Sequence, residues 1–209
     1  MTALGRFIVF EGPEGAGKSV QANRLAALLR SEGRSVVQTR EPGGTAIGDE
    51  IRTVLLRVRD EQVMPETEVL LLAAGRAQHV RERIVPALER GEDVICDRFV
   101  DSTLAYQGGG RGVPLDTLVP IQQYATGGLT PHLRILLDLP VEEGLRRRFA
   151  DPESVNRIDQ DDIAFHQRVR AAYLALVARD PAGWVVIDAS RGIDEVAADV
   201  VASVRDRLA

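Results

Sequence analysis

Among the 26 basic residues of this chain only one is lysine, and it stands in the run Gly12-Pro13-Glu14-Gly15-Ala16-Gly17-Lys18-Ser19. A drift of basic positions toward arginine that spares one site marks that site as chemically constrained. An ammonium on a flexible stem enters a ring of backbone N–H groups as a point charge, whereas a planar guanidinium is too wide for such a nest. The pattern G-x-x-x-x-G-K-[ST] binds the phosphates of a nucleotide: its glycines let the backbone approach, its lysine reaches the β- and γ-phosphates, and its hydroxyl, here Ser19, is offered to Mg²⁺. A second pair with matching chemistry is Asp97-Arg98, where a carboxylate can orient Mg²⁺ through its waters and a guanidinium can fork onto another phosphate. A third group, Arg146, Arg147, Arg148 and Arg157, surrounds a polar break at 150–154 and suits a lid that neutralises charge on a transferring phosphoryl group. Three consecutive arginines cannot share one helix face, so at least one of them is an ordinary solvated residue.

These groups need elements to hold them in register. Apolar runs of strand type occur at 7–10, 35–39, 93–96, 133–139 and 184–187. Between them, apolar residues at helical spacing predict helices over 22–29, 45–57, 66–90, 115–124, 141–149, 161–179 and 193–208, with Pro86 bending the longest or ending a turn. Such alternation predicts an α/β fold, a parallel sheet flanked by helices, and it places the phosphate loop between the first strand and first helix. Asp97-Arg98 then lies beyond the carboxyl end of a strand, where open parallel sheets bind ligands. Two segments resist a regular reading, 107–112 and 150–154, and both are read as candidate mobile covers.

Composition bounds the rest. A length of 209 residues fits a single domain, 1–209. The net charge of -5 and pI near 5.3 make nucleic acid and anionic membrane surfaces unexpected partners. Cys96 alone forms no internal disulfide, and with no secretory leader or membrane-length apolar run the expected location is the cytoplasm.

Several longer motifs go further than the loop. Glu11 to Ser19, Thr39-Arg40-Glu41-Pro42-Gly43-Gly44-Thr45, Asp97-Arg98-Phe99, the run from Asp101 through Ala105-Tyr106-Gln107-Gly108 to Gly112, and Asn156-Arg157-Ile158-Asp159-Gln160 together resemble bacterial thymidylate kinase, in that family's order and over almost the whole chain. The resemblance implies a P-loop kinase fold, with five parallel strands, the phosphate-loop strand central, helices on both faces and a short lid at about 146–159. It implies transfer of the ATP γ-phosphoryl group to dTMP, with Mg²⁺, by a homodimer.

Carried over residue by residue, the resemblance assigns ATP to Gly12, Pro13, Glu14, Gly15, Ala16, Gly17, Lys18 and Ser19, and Mg²⁺ to Ser19 and Asp97. It reads Arg98 as the clamp on the acceptor phosphate, with Glu14 near the acceptor sugar and Glu41 and Arg52 positioning the acceptor. Thr103 and Gln107 match the thymine face, Arg76 an arginine that bonds the base carbonyl, and Tyr106 a ring that excludes a 2′-hydroxyl. Lys18, Arg98 and lid arginines, Arg147 and Arg157 foremost, would act on the transition state. The chain departs from the family at Leu72, where a phenylalanine usually stacks on the base, and at Glu153, where some relatives carry an arginine. Which lid arginine serves catalysis is therefore left open by the sequence. A P-loop kinase for another acceptor, favoured by Leu72, and a nucleotide-gated switch are the competing readings; a second set of phosphate-reading residues argues against the switch.

Overall fold

The computed structural model describes residues 5–58, 60–152 and 155–208. At its centre is β1 (Phe7–Glu11), buried along its whole length because helices cover both faces of the sheet. A strand of that kind has no solvent side, which is why Phe7-Ile8-Val9-Phe10 is continuously apolar instead of alternating. The others are β2 (Val36–Arg40), β3 (Asp93–Asp97), β4 (Leu133–Asp138) and β5 (Trp184–Asp188), all parallel in the order β2-β3-β1-β4-β5.

Successive side chains of β1 enter opposite layers. Ile8 and Phe10 pack with Ala22, Leu25 and Leu29 of α1 (Lys18–Ser31) and with Val196, Val200 and Val204 of α9 (Ile193–Leu208). Phe7 and Val9 meet Val80, Ile84 and Ala87 on the other face. From β1 the chain passes to β2 and β3 on one side and later to β4 on the other, so a crevice opens at the carboxyl end of β1.

Around that crevice lie α2 (Ala46–Leu56), capped by the Thr45 hydroxyl, and α3 (Pro65–His79). The latter continues through a π-helical turn, Val80–Ile84, into α4 (Val85–Glu89). Pro86 lacks the N–H that would close the α-ladder, and the wide turn directly before it is where the helix absorbs that loss. After β3 come α5 (Val100–Thr103), a second π-helical turn, Leu104–Gly110, and α6 (Leu115–Thr126); α7 (Val141–Phe149) and α8 (Ile163–Arg179) follow β4.

The second π-turn corrects the expectation of a mobile cover at 107–112. A Cβ on Gly109 would stand 2.4 Å from the Ala172 Cβ, and one on Gly110 2.4 Å from the Phe165 ring. The glycines are there because α8 packs against this turn, in the layer that also holds Tyr106, Val169 and Tyr173. At the second expected cover, Glu153 and Ser154 lie outside the described residues. Among the described residues no helix is long and apolar enough to cross a membrane.

Candidate active site

The loop between β1 and α1 is shaped by what it cannot accommodate. Gly15 has φ 69°, and a Cβ there would stand 2.0 Å from the Gly144 carbonyl oxygen. Gly17 caps α1 without a side chain, and the first turn of that helix holds no acid, so no capping group competes for its N–H groups. Lys18 is 6% exposed and donates from Nζ to the Pro13 carbonyl at 2.7 Å, which folds the ammonium across the loop. Burial and the charge of Arg98 depress its pKa to about 8, against the opposing pull of Glu14, Asp97 and Glu11.

Arg98 follows β3 with φ 70°, the one non-glycine residue with positive φ among those described. Backbone strain of this kind costs about 1–3 kcal/mol and persists only where surroundings fix it. Here the surroundings are many: Nη1 donates to the Gly12 carbonyl at 3.0 Å and lies 3.3 Å from both the Ser102 and Tyr173 hydroxyls, while Nη2 donates to Glu14 at 2.8 Å and Tyr106 at 3.0 Å. The Tyr106 hydroxyl donates to the same Glu14 oxygen at 2.9 Å, and its ring lies under the guanidinium, 4.9 Å from centroid to carbon. Burial would raise the Glu14 carboxyl, yet Arg98, Lys18 and the Tyr106 hydroxyl hold it down at about 2. Beneath this layer Glu11, fully buried, accepts from the Phe99 backbone, Ser102 and Tyr173. Its carboxyl is pushed up by burial and by the charge of Asp101.

The facing wall comes from α2, α3 and the segment after β3. Arg76 was expected to present an N–H to a base carbonyl, and the structure gives it other partners. Both Nε and Nη2 contact Glu41 at 2.7 Å, Nη1 donates to Thr103 at 3.0 Å and to Gln122, and Nη2 donates to the Phe99 carbonyl at 2.9 Å. These hydrogen bonds and the ion pair hold the guanidinium, 2% exposed, on the wall of the cleft. Glu41 also meets His79 Nδ1 at 2.9 Å, so it is shared between Arg76 and His79 and faces the cleft from a fixed position. Arg52 donates to the Pro42 carbonyl at 3.0 Å, and burial followed by the charge of Arg40 lowers its pKa. Leu72, half-buried, lines the cleft with Thr103 and Gln107.

The four arginines at 146–148 and 157 separate. Arg146 is 71% exposed and only pairs with Glu143, the solvated member anticipated above. Arg147 pairs with Glu143 and donates to the Ala189 carbonyl, Arg148 pairs with Asp159 at 2.9 Å, and both line the cleft. Arg157 does not line it. Its guanidinium donates to the Leu55 carbonyl at 3.0 Å and to Glu68 at 2.6 Å, which turns it toward the α2–α3 junction.

All these surfaces bound one cleft of about 450 Å³, from Glu14, Lys18 and Ser19 to Leu72 and Gln107. Sequence reasoning gave no role to Arg40, Glu68 and Ser102 on its walls. Glu68 had a legible signal, since 68, 72 and 76 fall on one helix face at i, i+4 and i+8. For Mg²⁺ the donors fit: the Ser19 hydroxyl donates to Asp97, and the other Asp97 oxygen is buried without a partner among the described residues. Among the described residues no group of three or more metal-ligating side chains forms, as suits an ion that takes most of its ligands from phosphate and water.

Most of the chain is similar to known proteins of one family. The family model described as thymidylate kinase matches residues 10–200. A thymidylate kinase from Thermomicrobium roseum is 56% identical over 93% of this chain and 91% of its own. One from Deinococcus radiodurans is 50% identical over 97% of this chain and 98% of its own. The crystal structure of the Ehrlichia chaffeensis thymidylate kinase superposes with a TM-score of 0.77 at 30% identity, covering 96% of this chain and 98% of that one.

Proposed function

The chain belongs to the thymidylate kinase family, and on that premise we propose that it transfers the γ-phosphoryl group of ATP to the 5′-phosphate of dTMP, giving dTDP and ADP. One observation carries the reading: Lys18 of the phosphate loop and Arg98 beyond the neighbouring strand face one cleft, and Glu14 contacts Arg98 there. Two phosphate-reading groups on one cavity suit a donor and an acceptor, which a hydrolase or switch does not need.

The residues divide the work as follows. The loop and Lys18 hold the donor phosphates, and Arg98 holds the acceptor phosphate in line with them. An acceptor oxygen bonds to the γ-phosphorus as the bond to the ADP oxygen breaks. Since the acceptor phosphate is already ionised, no side chain has to remove a proton. Arg147 and Arg148 stand on the cleft wall where charge spreads in the transition state, and Arg157 serves as an anchor of the lid instead. Ser19 and Asp97 would hold Mg²⁺, which when bound neutralises phosphate charge. Glu41 and Arg52 position the acceptor, Tyr106 excludes ribose, and Arg76, on the wall with Leu72, Thr103 and Gln107, fixes Glu41 and Thr103 at the base end of the cleft.

The reading extends to a single cytoplasmic domain with its lid at about 146–159, assembled as a homodimer. Ile47 and Val54, seven residues apart on α2, and Leu70 on α3 are exposed apolar side chains suited to such an interface. The test is ADP formation from ATP with a panel of monophosphates: dTMP should stimulate it far above any ribonucleotide. Stimulation by none of them would favour the switch, and a different preferred acceptor would reassign the substrate.

A further inference from the structure

Glu68 is 1% exposed on α3, and the chemistry proposed above makes no use of it. Its oxygens serve three segments. Oε1 accepts from Arg157 Nη2 at 2.6 Å, Oε2 accepts from Gln107 Nε2 at 2.8 Å, and Arg111 approaches both at 3.4 Å. Arg111 is itself held by two bonds to Asp161, of 2.7 and 2.8 Å. A carboxylate set between two guanidinium groups offers lone pairs and nothing else. The Gln107 carboxamide must therefore turn its nitrogen toward Glu68. Its oxygen, on the opposite side of the same planar group, is buried and meets no donor among the described residues. Asp97 and Gln107 are the two cleft-lining residues, among those described, that carry such an unmatched buried atom. The first is accounted for at the phosphates. The second is the buried oxygen of a residue that shares the wall with Leu72 and Thr103, and a buried acceptor without a donor costs stability until a ligand supplies one.

We infer that Glu68 is a positioning residue for base selection: by fixing which way the Gln107 carboxamide lies, it presents an oxygen to the nucleobase and selects a ring that carries an N–H donor. The inference rests on the proposed function, which puts a pyrimidine against this wall. Thymine and uracil both carry a hydrogen on N3. Cytosine has a lone pair there, and would set acceptor against acceptor. A carboxamide free to rotate would serve either ring, so the selectivity belongs to Glu68 as much as to Gln107.

The experiment compares kcat/KM for dTMP, dUMP and dCMP in the wild type and three variants. Glu68→Gln places a group that can donate or accept beside Gln107 and so releases its orientation. The dTMP-to-dCMP ratio should fall about tenfold, while the dTMP-to-dUMP ratio, between two N–H donors, should stay put. Gln107→Met removes the acceptor and should lower the first ratio similarly. In the double variant the Glu68 change should then have no further effect, because its route is gone. If Glu68→Gln does not fold, Glu68→Asp, which keeps the charge but shortens the reach to Gln107, takes its place with the same expectation. An unchanged dTMP-to-dCMP ratio in either the Glu68 variant or Gln107→Met overturns the inference, as does an equal effect of the Glu68 change with and without Gln107. A wild-type protein that does not phosphorylate dTMP overturns the functional reading itself, and this inference with it.

Discussion

Arg98 and Glu14, 84 residues apart in sequence, meet at 2.8 Å, with side chains 14% and 18% exposed. Each comes from the carboxyl end of a neighbouring strand, so the pair closes the crevice between β1 and β3 and fixes the guanidinium before any phosphate arrives. Glu14 offsets the charge of Arg98, and Tyr106 completes the triangle by bonding both. A phosphate entering this site meets an arginine whose rotamer is already determined, which lowers the ordering cost of binding.

Lys18→Arg should reduce phosphoryl transfer by about 100-fold or more while the fold persists, although the charge is kept. The ammonium donates at 2.7 Å within a loop that leaves it 6% exposed, and a guanidinium does not fit that space. Turnover near that of the wild type, in a variant with an unaltered circular dichroism spectrum, would sink the role given to Lys18.

The depressed pKa of Lys18, about 8, gives ATP binding a pH dependence. Below that value the side chain is charged and attracts phosphate; above it the free protein has lost the charge and must regain a proton on binding. Affinity for ATP should therefore weaken as pH rises through 8, and at higher pH binding should take up about one proton. Calorimetry in two buffers of different ionisation enthalpy measures that uptake. A flat affinity with no uptake would contradict the assignment.

Tyr106→Ala should relax discrimination between the deoxy and ribo forms of the acceptor more than it slows dTMP. Tyr106→Phe should keep that discrimination, since the ring remains, but weaken acceptor binding because Arg98 and Glu14 lose the hydroxyl that bonds both. Comparing kcat/KM for the two sugars separates ring from hydroxyl. An unchanged ratio in the alanine variant would remove Tyr106 from the sugar site.

Arg76→Leu tests whether that residue is a structural hub. It takes the guanidinium from buried Glu41, which keeps His79, and leaves Thr103 and Gln122 without this donor, so stability should fall by about 3–5 kcal/mol. Urea denaturation measures it. A loss under about 1 kcal/mol would show that the arginine is not the keystone of this wall.

What the sequence determined by itself was local or pattern-borne. The phosphate loop is contiguous, so Gly15, Gly17 and Lys18 reveal their purpose in order. The apolar run of β1 and the helical spacing of its neighbours set the α/β class, and the spacing from Cys96 to Arg98 put a charged pair at a strand end. Tertiary structure decided the rest, because it depends on residues far apart in the chain. Arg76 reads as a base-contacting cation, and only the fold shows that Glu41, Phe99, Thr103 and Gln122 also anchor it in the cleft wall. Arg147, Arg148 and Arg157 are alike on paper; they are separated only by where Ala189, Asp159 and Glu68 lie. The glycines at 108–110 read as a mobile cover in isolation, and become a packing surface once α6 is laid against Gly108 and α8 against Gly109 and Gly110. Strand order likewise had to come from resemblance or from coordinates, since a parallel sheet is built from crossovers whose apolar patterns are the same whichever neighbour each strand finds.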